Sequence, residues 1–178
     1  MPQPKKIVII GPESTGKSTL SEQLAAYYKT SWVPEFARNY LLELGRPYNY
    51  EDLLIIARGQ VESEDRITAS SNSSLVIIDT DMYVMKVWCE FVFGKCHPLI
   101  LDDIVKRKYD AYLLCNTDLP WVADELREYP DLESRDRLYN MYRDLMINQH
   151  VPWFDIRGDY DERLQKAIFF IEGLRHKN

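Results

Sequence analysis

The chain contains little cysteine and little histidine, with three of each among 178 residues. The cysteines are widely spaced and form no CxxC pair, which argues against a zinc site and against a thioredoxin-like redox motif. Cys96 beside His97 is the one hint of metal chemistry, and packing is the better interpretation of that pair. The composition therefore offers no basis for a thiol or zinc enzyme.

Long hydrophobic runs and an excess of basic residues are also missing. The first apolar stretch, Ile7 to Ile10, is too short for a signal peptide or a membrane span, so we expect a cytoplasmic protein with no membrane partner. The net charge is −6, and an acidic chain is a poor candidate for nucleic-acid binding because a phosphate backbone requires a positive surface. A local basic pocket for a phosphorylated ligand remains compatible with this charge.

Short apolar segments alternate with longer segments of helical periodicity along the chain. Buried strands are predicted at 6–10, 31–33, 75–79, 110–115 and 151–156. Helices are predicted at 18–29, 35–44, 52–70, 81–93, 98–108, 137–149 and 161–174. The polar stretch 116–136 is predicted to be a mobile segment with a short helix around 122–126. This alternation predicts one α/β domain over residues 1–178, with a five-stranded parallel sheet in three α/β/α layers.

A phosphate-binding motif follows the first predicted strand. The sequence from Gly11 to Ser18, GPESTGKS, matches GxxxxGK[ST] at each fixed position and lies between a buried strand and an amphipathic helix. Its glycines let the backbone wrap a phosphate chain at the positive end of the helix. Lys17 is predicted to reach the β- and γ-phosphates of ATP, and Ser18 to ligate Mg²⁺. The predicted ATP ligands in this region are Gly11, Glu13, Ser14, Thr15, Gly16, Lys17, Ser18 and Thr19.

A carboxylate ends the strand predicted at 75–79. Asp79 occupies the position of the Walker B carboxylate of P-loop enzymes, which holds Mg²⁺ directly or through water. The alternative is an N-cap for the helix that starts near Asp81. We predict the metal role for Asp79, and Asp81 remains between capping and substrate contact.

The rest of the chain favours a phosphotransferase over other P-loop classes. The guanine-binding NKxD element of switch GTPases is absent, because residues 115–118 read CNTD, and no second long domain indicates a motor or an AAA-type assembly. Arg127, Arg135 and Arg137 cluster in a predicted lid at about 117–137, where guanidinium groups can neutralise the transferring phosphoryl group. Arg127 is the predicted catalytic arginine, and the other two are predicted ATP ligands. The alternative is that all three pair with neighbouring acidic residues on a solvated surface.

Glu35 and Arg38 follow the second predicted strand, on the acceptor side of such folds. Glu35 is predicted to orient or deprotonate a substrate hydroxyl, and Arg38 to hold a substrate or a phosphate. The alternative is a surface ion pair between the two. Trp32 is a candidate for stacking on a flat substrate ring, although aromatic residues are more often part of the core.

Five short motifs together resemble one known family. They are GPESTGKS at 11–18, EFAR at 35–38, IDTD at 78–81, GKCHP at 94–98 and WVADELR at 121–127. The set is similar to the ribosylnicotinamide kinase domain of bacterial NadR-type NAD-biosynthesis proteins, over nearly the whole chain. The resemblance implies a nucleoside-kinase-like P-loop enzyme that transfers the γ-phosphate of ATP to the 5′-hydroxyl of nicotinamide riboside. It also implies acceptor and metal positions for Glu35 and Asp79, and a lid position for Arg127.

The sequence departs from that family in two ways. Larger members carry an adenylyltransferase domain and some a DNA-binding domain, and this sequence contains neither. Pro34 stands where the family has an aromatic residue before the glutamate that matches Glu35, and the tryptophan lies two residues earlier, at Trp32. The alternatives are therefore another nucleoside or nucleotide kinase, or a regulatory ATP-binding module. By fold analogy, adenine is expected near Gly158 to Tyr160.

Overall fold

The computed structural model describes residues 3–175. Its strands are β1 (Lys5–Ile10), β2 (Trp32–Val33), β3 (Leu75–Asp79), β4 (Ala111–Cys115) and β5 (Trp153–Ile156). Its helices are α1 (Lys17–Tyr28), α2 (Phe36–Leu44), α3 (Tyr50–Ser70), α4 (Met82–Phe93), α5 (Pro98–Lys106), α6 (Leu132–Ile147) and α7 (Tyr160–Arg175). The outermost positions of the predicted domain, 1–2 and 176–178, lie outside the described residues.

The five strands form one sheet in the order β2-β3-β1-β4-β5, and every pair is parallel. Ile9 of β1 lies opposite Asp79 of β3, so the residues after β1 emerge beside the end of β3. Parallel α/β sheets bind ligands outside the carboxyl ends of their strands. The predicted five-stranded parallel sheet is confirmed.

Hydrophobic layers cover both faces of the sheet. Val8 and Ile10 point to one face, where helices α4 and α6 complete a buried cluster. Ile7 and Ile9 point to the other face, where α1 and α7 complete a second cluster. This alternation follows from the two-residue period of a strand, and it confirms the predicted three-layer α/β/α architecture.

The segment between β4 and α6 differs from its prediction. Residues 117–131 contain no helix around 122–126, and α6 begins at Leu132 rather than at 137. Asp131 provides the helix start, because its side chain accepts a hydrogen bond from the Ser134 N–H at 2.7 Å. We refer to residues 117–131 as the β4–α6 segment.

In the part of the chain that the structure describes, no helix has the length and apolar character needed to cross a lipid bilayer.

Candidate active site

The P-loop connects β1 to α1 through two glycines in backbone conformations that other residues rarely adopt. Gly11 has φ 143°, and a Cβ there would lie 2.7 Å from the carbonyl oxygen of Cys115. Gly16, at φ 77°, is the N-cap of α1 and has no side chain to cap the helix. The first N–H groups of α1 therefore remain available, and such groups bind anions.

Two side chains of the loop contact the same backbone carbonyl. Thr15 Oγ1 donates to Pro12 O at 2.7 Å, and Lys17 Nζ donates to Pro12 O at 2.9 Å. The Thr15 side chain is buried, so it shapes the loop. Lys17 lines a cavity of about 360 Å³ that opens beside the P-loop, together with Ser18 and Thr19. A charged phosphate is a stronger partner for an ammonium group than one neutral carbonyl.

Ser18 and Asp79 meet at the end of the sheet. Ser18 Oγ donates to Asp79 Oδ2 at 2.5 Å, and Asp79 is fully buried. Burial, followed by the negative charge of Glu35, raises the pKa of Asp79 to about 7. The helix N-cap after β3 is Asp81 and not Asp79, so the capping alternative for Asp79 does not apply.

Asp81 caps α4 and does not line the cavity. Its carboxylate accepts hydrogen bonds from the Tyr83 N–H at 2.9 Å and from the Tyr112 hydroxyl at 2.9 Å. It is 1% exposed, and burial raises its pKa to about 7. The structure thus corrects the prediction of a substrate contact for Asp81 in favour of the capping alternative. Between the two carboxylates, Thr80 holds a left-handed φ of 77°, which is costly for a β-branched residue.

Within residues 3–175, no three His, Cys, Asp or Glu residues converge as a metal site made of protein ligands alone. His97 stacks on Tyr50 with ring centroids 3.7 Å apart, and its Nε2 lies 2.9 Å from Tyr50 O. The Cys96 Sγ faces the His97 carbonyl at 3.7 Å. This pair therefore packs, as the sequence analysis preferred.

Glu35 projects into the cavity from the start of α2. It is the N-cap residue of that helix, but its side chain makes no capping hydrogen bond. Among residues 3–175 its carboxylate has no hydrogen bond or ion pair with the protein. An unpaired carboxylate near the P-loop is available to a hydroxyl group of a ligand.

Arg38 also lines the cavity, but its partner is not Glu35. Its guanidinium donates to both carboxylate oxygens of Asp124, at 3.0 and 3.4 Å. This hydrogen bonding lowers the pKa of Asp124. The predicted alternative, an ion pair between Glu35 and Arg38, is therefore wrong, and Arg38 instead joins α2 to the β4–α6 segment.

Glu13 of the P-loop holds the β4–α6 segment. Its Oε1 accepts hydrogen bonds from the Tyr129 N–H at 2.6 Å and from the Trp121 indole at 3.3 Å. Its Oε2 accepts from the Glu128 N–H at 3.0 Å. A P-loop side chain therefore satisfies two backbone N–H groups near the end of the segment. The predicted ATP ligand Glu13 uses its carboxylate for the segment, while it also lines the cavity.

A second contact lies one residue further along the P-loop. Ser14, with φ 55°, accepts a hydrogen bond from the Val122 N–H at 2.9 Å. Arg127 donates to the Val122 carbonyl at 2.5 Å and lines the cavity. The segment therefore crosses beside the phosphate loop and carries Arg127 to it.

The other two predicted arginines are elsewhere. Arg135 and Arg137 belong to helix α6 and not to an irregular lid, and neither lines the cavity. Their role as ATP ligands stays a prediction. Arg135 is buried and donates to Leu119 O at 3.1 Å. Arg137 lies 5.1 Å from the ring centre of Phe91. Both side chains support packing around α6.

Trp32 is on the opposite side of the sheet from the cavity. It pairs in register with Ile77 and packs against the cluster under α1 and α7. The prediction that Trp32 contacts substrate is therefore corrected: with a two-residue period, Val33 faces the α4 side and Trp32 the other.

An aromatic wall that the sequence analysis missed lines the cavity instead. Its members come from four separate elements and are Tyr48, Trp88, Phe91, Tyr129 and Tyr142. Trp88 Nε1 donates to the Tyr48 hydroxyl at 3.1 Å, which donates to Glu128 Oε2 at 2.8 Å. The sequence offered no signal for this wall, because aromatic residues at helical spacing have the same pattern in an ordinary core.

The β5–α7 loop closes the far end of the P-loop. Tyr160 lines the cavity, and its ring lies 3.3 Å from where a Cβ of Gly16 would be. Arg163 is fully buried and donates to three backbone carbonyls, those of Gly158, Thr15 and Asn116, at 2.7, 2.9 and 3.0 Å. Arg163 also contacts the Asp118 carboxylate. The P-loop is thus tied to residues from the end of the described chain.

A phosphate loop between β1 and α1, with a carboxylate at the end of the neighbouring strand, defines a P-loop nucleotide-binding fold. Residues 6–163 match the family model for the AAA_28 family, described as AAA domain, and the chain belongs to that family. The expectation against a motor or an AAA-type assembly stays a prediction.

The chain is also similar in sequence to two curated NadR proteins. The chain is 28% identical over 175 residues to "Trifunctional NAD biosynthesis/regulator protein NadR" of Salmonella typhimurium, covering 96% of this chain and 42% of the relative. The NadR protein of Escherichia coli strain K12 has the same identity and coverage. The resemblance to NadR-type proteins is confirmed. The chain spans less than half the length of these relatives.

Solved structures share the fold. NadR in complex with NR superposes with a TM-score of 0.82 at 22% identity, over 96% of this chain and 51% of that one. NadR in complex with NAD and AMP-PNP superposes with a TM-score of 0.77 at 23% identity, over 96% of this chain and 49% of that one. Thymidylate kinase from Ehrlichia chaffeensis superposes with a TM-score of 0.67 at 17% identity, over 96% of this chain and 100% of that one.

Proposed function

We propose that this protein is an ATP-dependent kinase that phosphorylates the 5′-hydroxyl of nicotinamide riboside, giving nicotinamide mononucleotide. The observation that carries the proposal is the unpaired carboxylate of Glu35 in the same cavity as the P-loop. Support for the acceptor comes from the NadR relatives, which are NAD-biosynthesis proteins, and from the NadR complex with NR.

The P-loop side of the cavity takes the triphosphate of ATP. Lys17 and the N–H groups at the start of α1 supply positive charge to the β- and γ-phosphates. Tyr160, against Gly16, is placed to border the adenosine. Arg127, carried by the β4–α6 segment, faces the phosphates and stabilises the negative charge that spreads over the phosphoryl group in the transition state.

Ser18 and Asp79 fit a Mg²⁺ ion, because a hydroxyl and a carboxylate oxygen 2.5 Å apart provide the hard oxygen donors that Mg²⁺ prefers. Two protein ligands suffice, since Mg²⁺ takes its other ligands from phosphates and water. Ser18 and Asp79 would hold the ion, which would supply positive charge to neutralise the phosphates of ATP.

The aromatic wall receives the flat ring of the acceptor. Trp88 and Phe91 offer faces and edges for stacking, and the Tyr48 hydroxyl keeps the Trp88 indole N–H hydrogen-bonded. Glu35 accepts the proton of the acceptor hydroxyl as that oxygen attacks the γ-phosphorus atom. The reaction breaks the bond between the γ-phosphorus and the β–γ bridging oxygen, and it leaves ADP.

The β4–α6 segment acts as the lid. Its hydrogen bonds to Glu13 and Ser14 hold it across the phosphate loop, which keeps water away from the transferring group. Water is the competing acceptor, so a kinase of this kind needs such a cover.

The test is ADP release by purified protein with Mg²⁺ and ATP, with and without nicotinamide riboside. We expect riboside-dependent release that falls at least about 10³-fold in Lys17→Ala, because a principal phosphate-binding charge is lost. Lys106→Ala is the matched control, since the Lys106 side chain is 71% exposed and far from the cavity. Turnover of another nucleoside but not of the riboside would overturn the proposal that nicotinamide riboside is the acceptor. If the protein binds ATP tightly but no nucleoside in a panel stimulates ADP release, the proposal of kinase activity is overturned.

A further inference from the structure

Gln60, in the middle of α3, bonds to the backbone of Asp79 and of the residue after Glu35, and it does not line the cavity. Its side-chain oxygen accepts a hydrogen bond from the Phe36 N–H at 2.8 Å. Its Nε2 donates to the backbone carbonyls of Asp79 at 3.2 Å and of Thr80 at 3.0 Å. Gln60 is 1% exposed, and its three partners fix which end of the amide is oxygen, since carbonyls accept and the N–H donates.

The bond to Phe36 provides an acceptor for the first N–H group of α2. Phe36 is the first residue of α2, and the first N–H groups of a helix need an acceptor from outside the helix ladder. The N-cap residue Glu35 makes no side-chain capping bond. Gln60 supplies that acceptor for the Phe36 N–H, directly beside Glu35, whose carboxylate lines the cavity.

The same place on α3 is built for close approach of α2. Gly59 precedes Gln60, and a Cβ at Gly59 would lie 2.4 Å from ring atoms of Phe36. Only glycine lets the Phe36 ring lie this close to the α3 backbone. The contact fixes the distance between the start of α2 and the backbone of α3, independently of the Gln60 hydrogen bonds.

The other end of the Gln60 amide holds a strained turn. Thr80 has a left-handed φ of 77°, and its N–H donates to Ile9 O at 3.1 Å while its carbonyl accepts from Gln60. Strained residues persist where surrounding contacts over-determine them. The end of β3, and with it the side chain of Asp79, is therefore fixed to α3 as well as to β1.

We propose that Gln60 is a positioning residue, which fixes the acceptor-activating Glu35 relative to the metal-binding Asp79; this rests on the proposed function for the roles of those two carboxylates. Gln60 touches neither substrate nor metal. It acts through the backbone, because the two ends of its planar amide hydrogen-bond to the Phe36 N–H and to the Asp79 carbonyl. Catalysis is sensitive to such spacing, and a displacement of about 1 Å costs on the order of 10²-fold in rate.

The test uses Gln60→Glu, which keeps the acceptor for Phe36 but cannot donate to both carbonyls. We expect kcat with nicotinamide riboside to fall about 10- to 100-fold while the KM for Mg·ATP stays within about twofold. Gln149→Glu is the matched control. The Gln149 amide also donates to two carbonyls, at 3.2 and 2.8 Å, and accepts one N–H, but it serves the loop before β5. The control keeps its kcat.

Two further measurements keep the outcomes distinct. Crystal structures of wild type and variant give the separation of the Glu35 and Asp79 carboxylates, which we expect to change by about 1 Å whether or not any acceptor is turned over. If Gln60→Glu does not fold, Gln60→Met replaces it, because methionine has a similar volume and makes none of the three hydrogen bonds. An unchanged separation, or a wild-type kcat in a folded variant, overturns the positioning role. A wild-type protein that ignores the riboside overturns the proposed function instead.

Discussion

The two sides of the cavity are built in different ways. The phosphate side comes from eight consecutive residues, Gly11 to Ser18, and works largely through backbone N–H groups and two special glycines. The acceptor side comes from α2, α4, α6, the α2–α3 loop and the β4–α6 segment, and it works through side chains. The phosphate side is therefore a local structure that a motif can specify, whereas the acceptor side exists only after long-range packing.

This difference has a chemical reason. Every nucleotide presents the same phosphates, so a backbone cradle serves one unchanging shape. Acceptors differ in ring and hydroxyl position, and side chains on separate elements can change independently to suit them. We expect substitutions on the phosphate side to weaken binding of ATP, and substitutions on the acceptor side to change the rate or choice of acceptor.

The largest expected effect on the acceptor side comes from Glu35→Gln. Removing the group that accepts the hydroxyl proton lowers kcat about 10²- to 10⁴-fold, while ATP affinity stays within about twofold. Steady-state kinetics and calorimetric titration with Mg·ATP measure the two quantities. Glu43→Gln on the same helix is the control, since that residue is exposed and lies outside the cavity. If ATP affinity in Glu35→Gln falls as much as kcat does, the two sides of the cavity do not have separate roles.

A pH titration tests how far the two sides influence each other. The pKa of Asp79 is raised to about 7 by burial and, next, by the charge of Glu35. Below this pKa the carboxyl group is protonated and cannot hold Mg²⁺, so Mg·ATP affinity falls by up to about tenfold per pH unit below 7. Glu35→Gln removes the negative neighbour, which lowers the Asp79 pKa and moves the decline to lower pH.

Calorimetry from pH 8 to pH 5.5 measures this dependence. Asp79→Asn is the control, because it should bind Mg·ATP weakly and lack the wild-type decline. A wild-type affinity that does not change over the range would contradict metal binding by Asp79.

The smallest expected effect concerns the lid. Glu13→Gln loses the charge and at least one acceptor for the N–H groups of Glu128 and Tyr129, which is worth about 1.5–3 kcal/mol for hydrogen bonds to a charged group. We expect the KM for ATP to rise about tenfold, and hydrogen exchange to accelerate over residues 117–131. Arg38→Gln removes the half-exposed contact with Asp124 and should change either quantity less than about threefold, since exposed ion pairs contribute about 0–1 kcal/mol. The reverse ranking would contradict the role given to Glu13.

The sequence predicted the phosphate side well because its signals are local. The strand, the motif and the helix follow one another, and the Walker B position needs only a carboxylate after a buried strand. The sheet was predictable for the same reason, since each buried strand is a continuous apolar run. Glu35 was found from its place after the second strand, and it does line the cavity.

The failures fall on residues whose surroundings are set by distant parts of the chain. Trp32 was assigned to substrate, but the two-residue period turns it to the other face of the sheet. Arg135 and Arg137 were placed in a lid because α6 was predicted to begin at 137, five residues after its start at Leu132. Gln60 could not have been noticed, since nothing in a mid-helix glutamine indicates that it will meet backbone groups of two other elements.

Arg163 has a consequence for how the protein is made. It donates to the carbonyl of Thr15 across 148 positions of sequence, and this guanidinium also holds the loops after β4 and β5. The phosphate loop is synthesised well before Arg163, which lies 148 positions after Thr15. The guanidinium that donates to the Thr15 carbonyl arrives only when α7 has been synthesised. The nascent protein therefore cannot complete its nucleotide site until α7 has been synthesised, and chains cut short before Arg163 should retain the motif without a finished site.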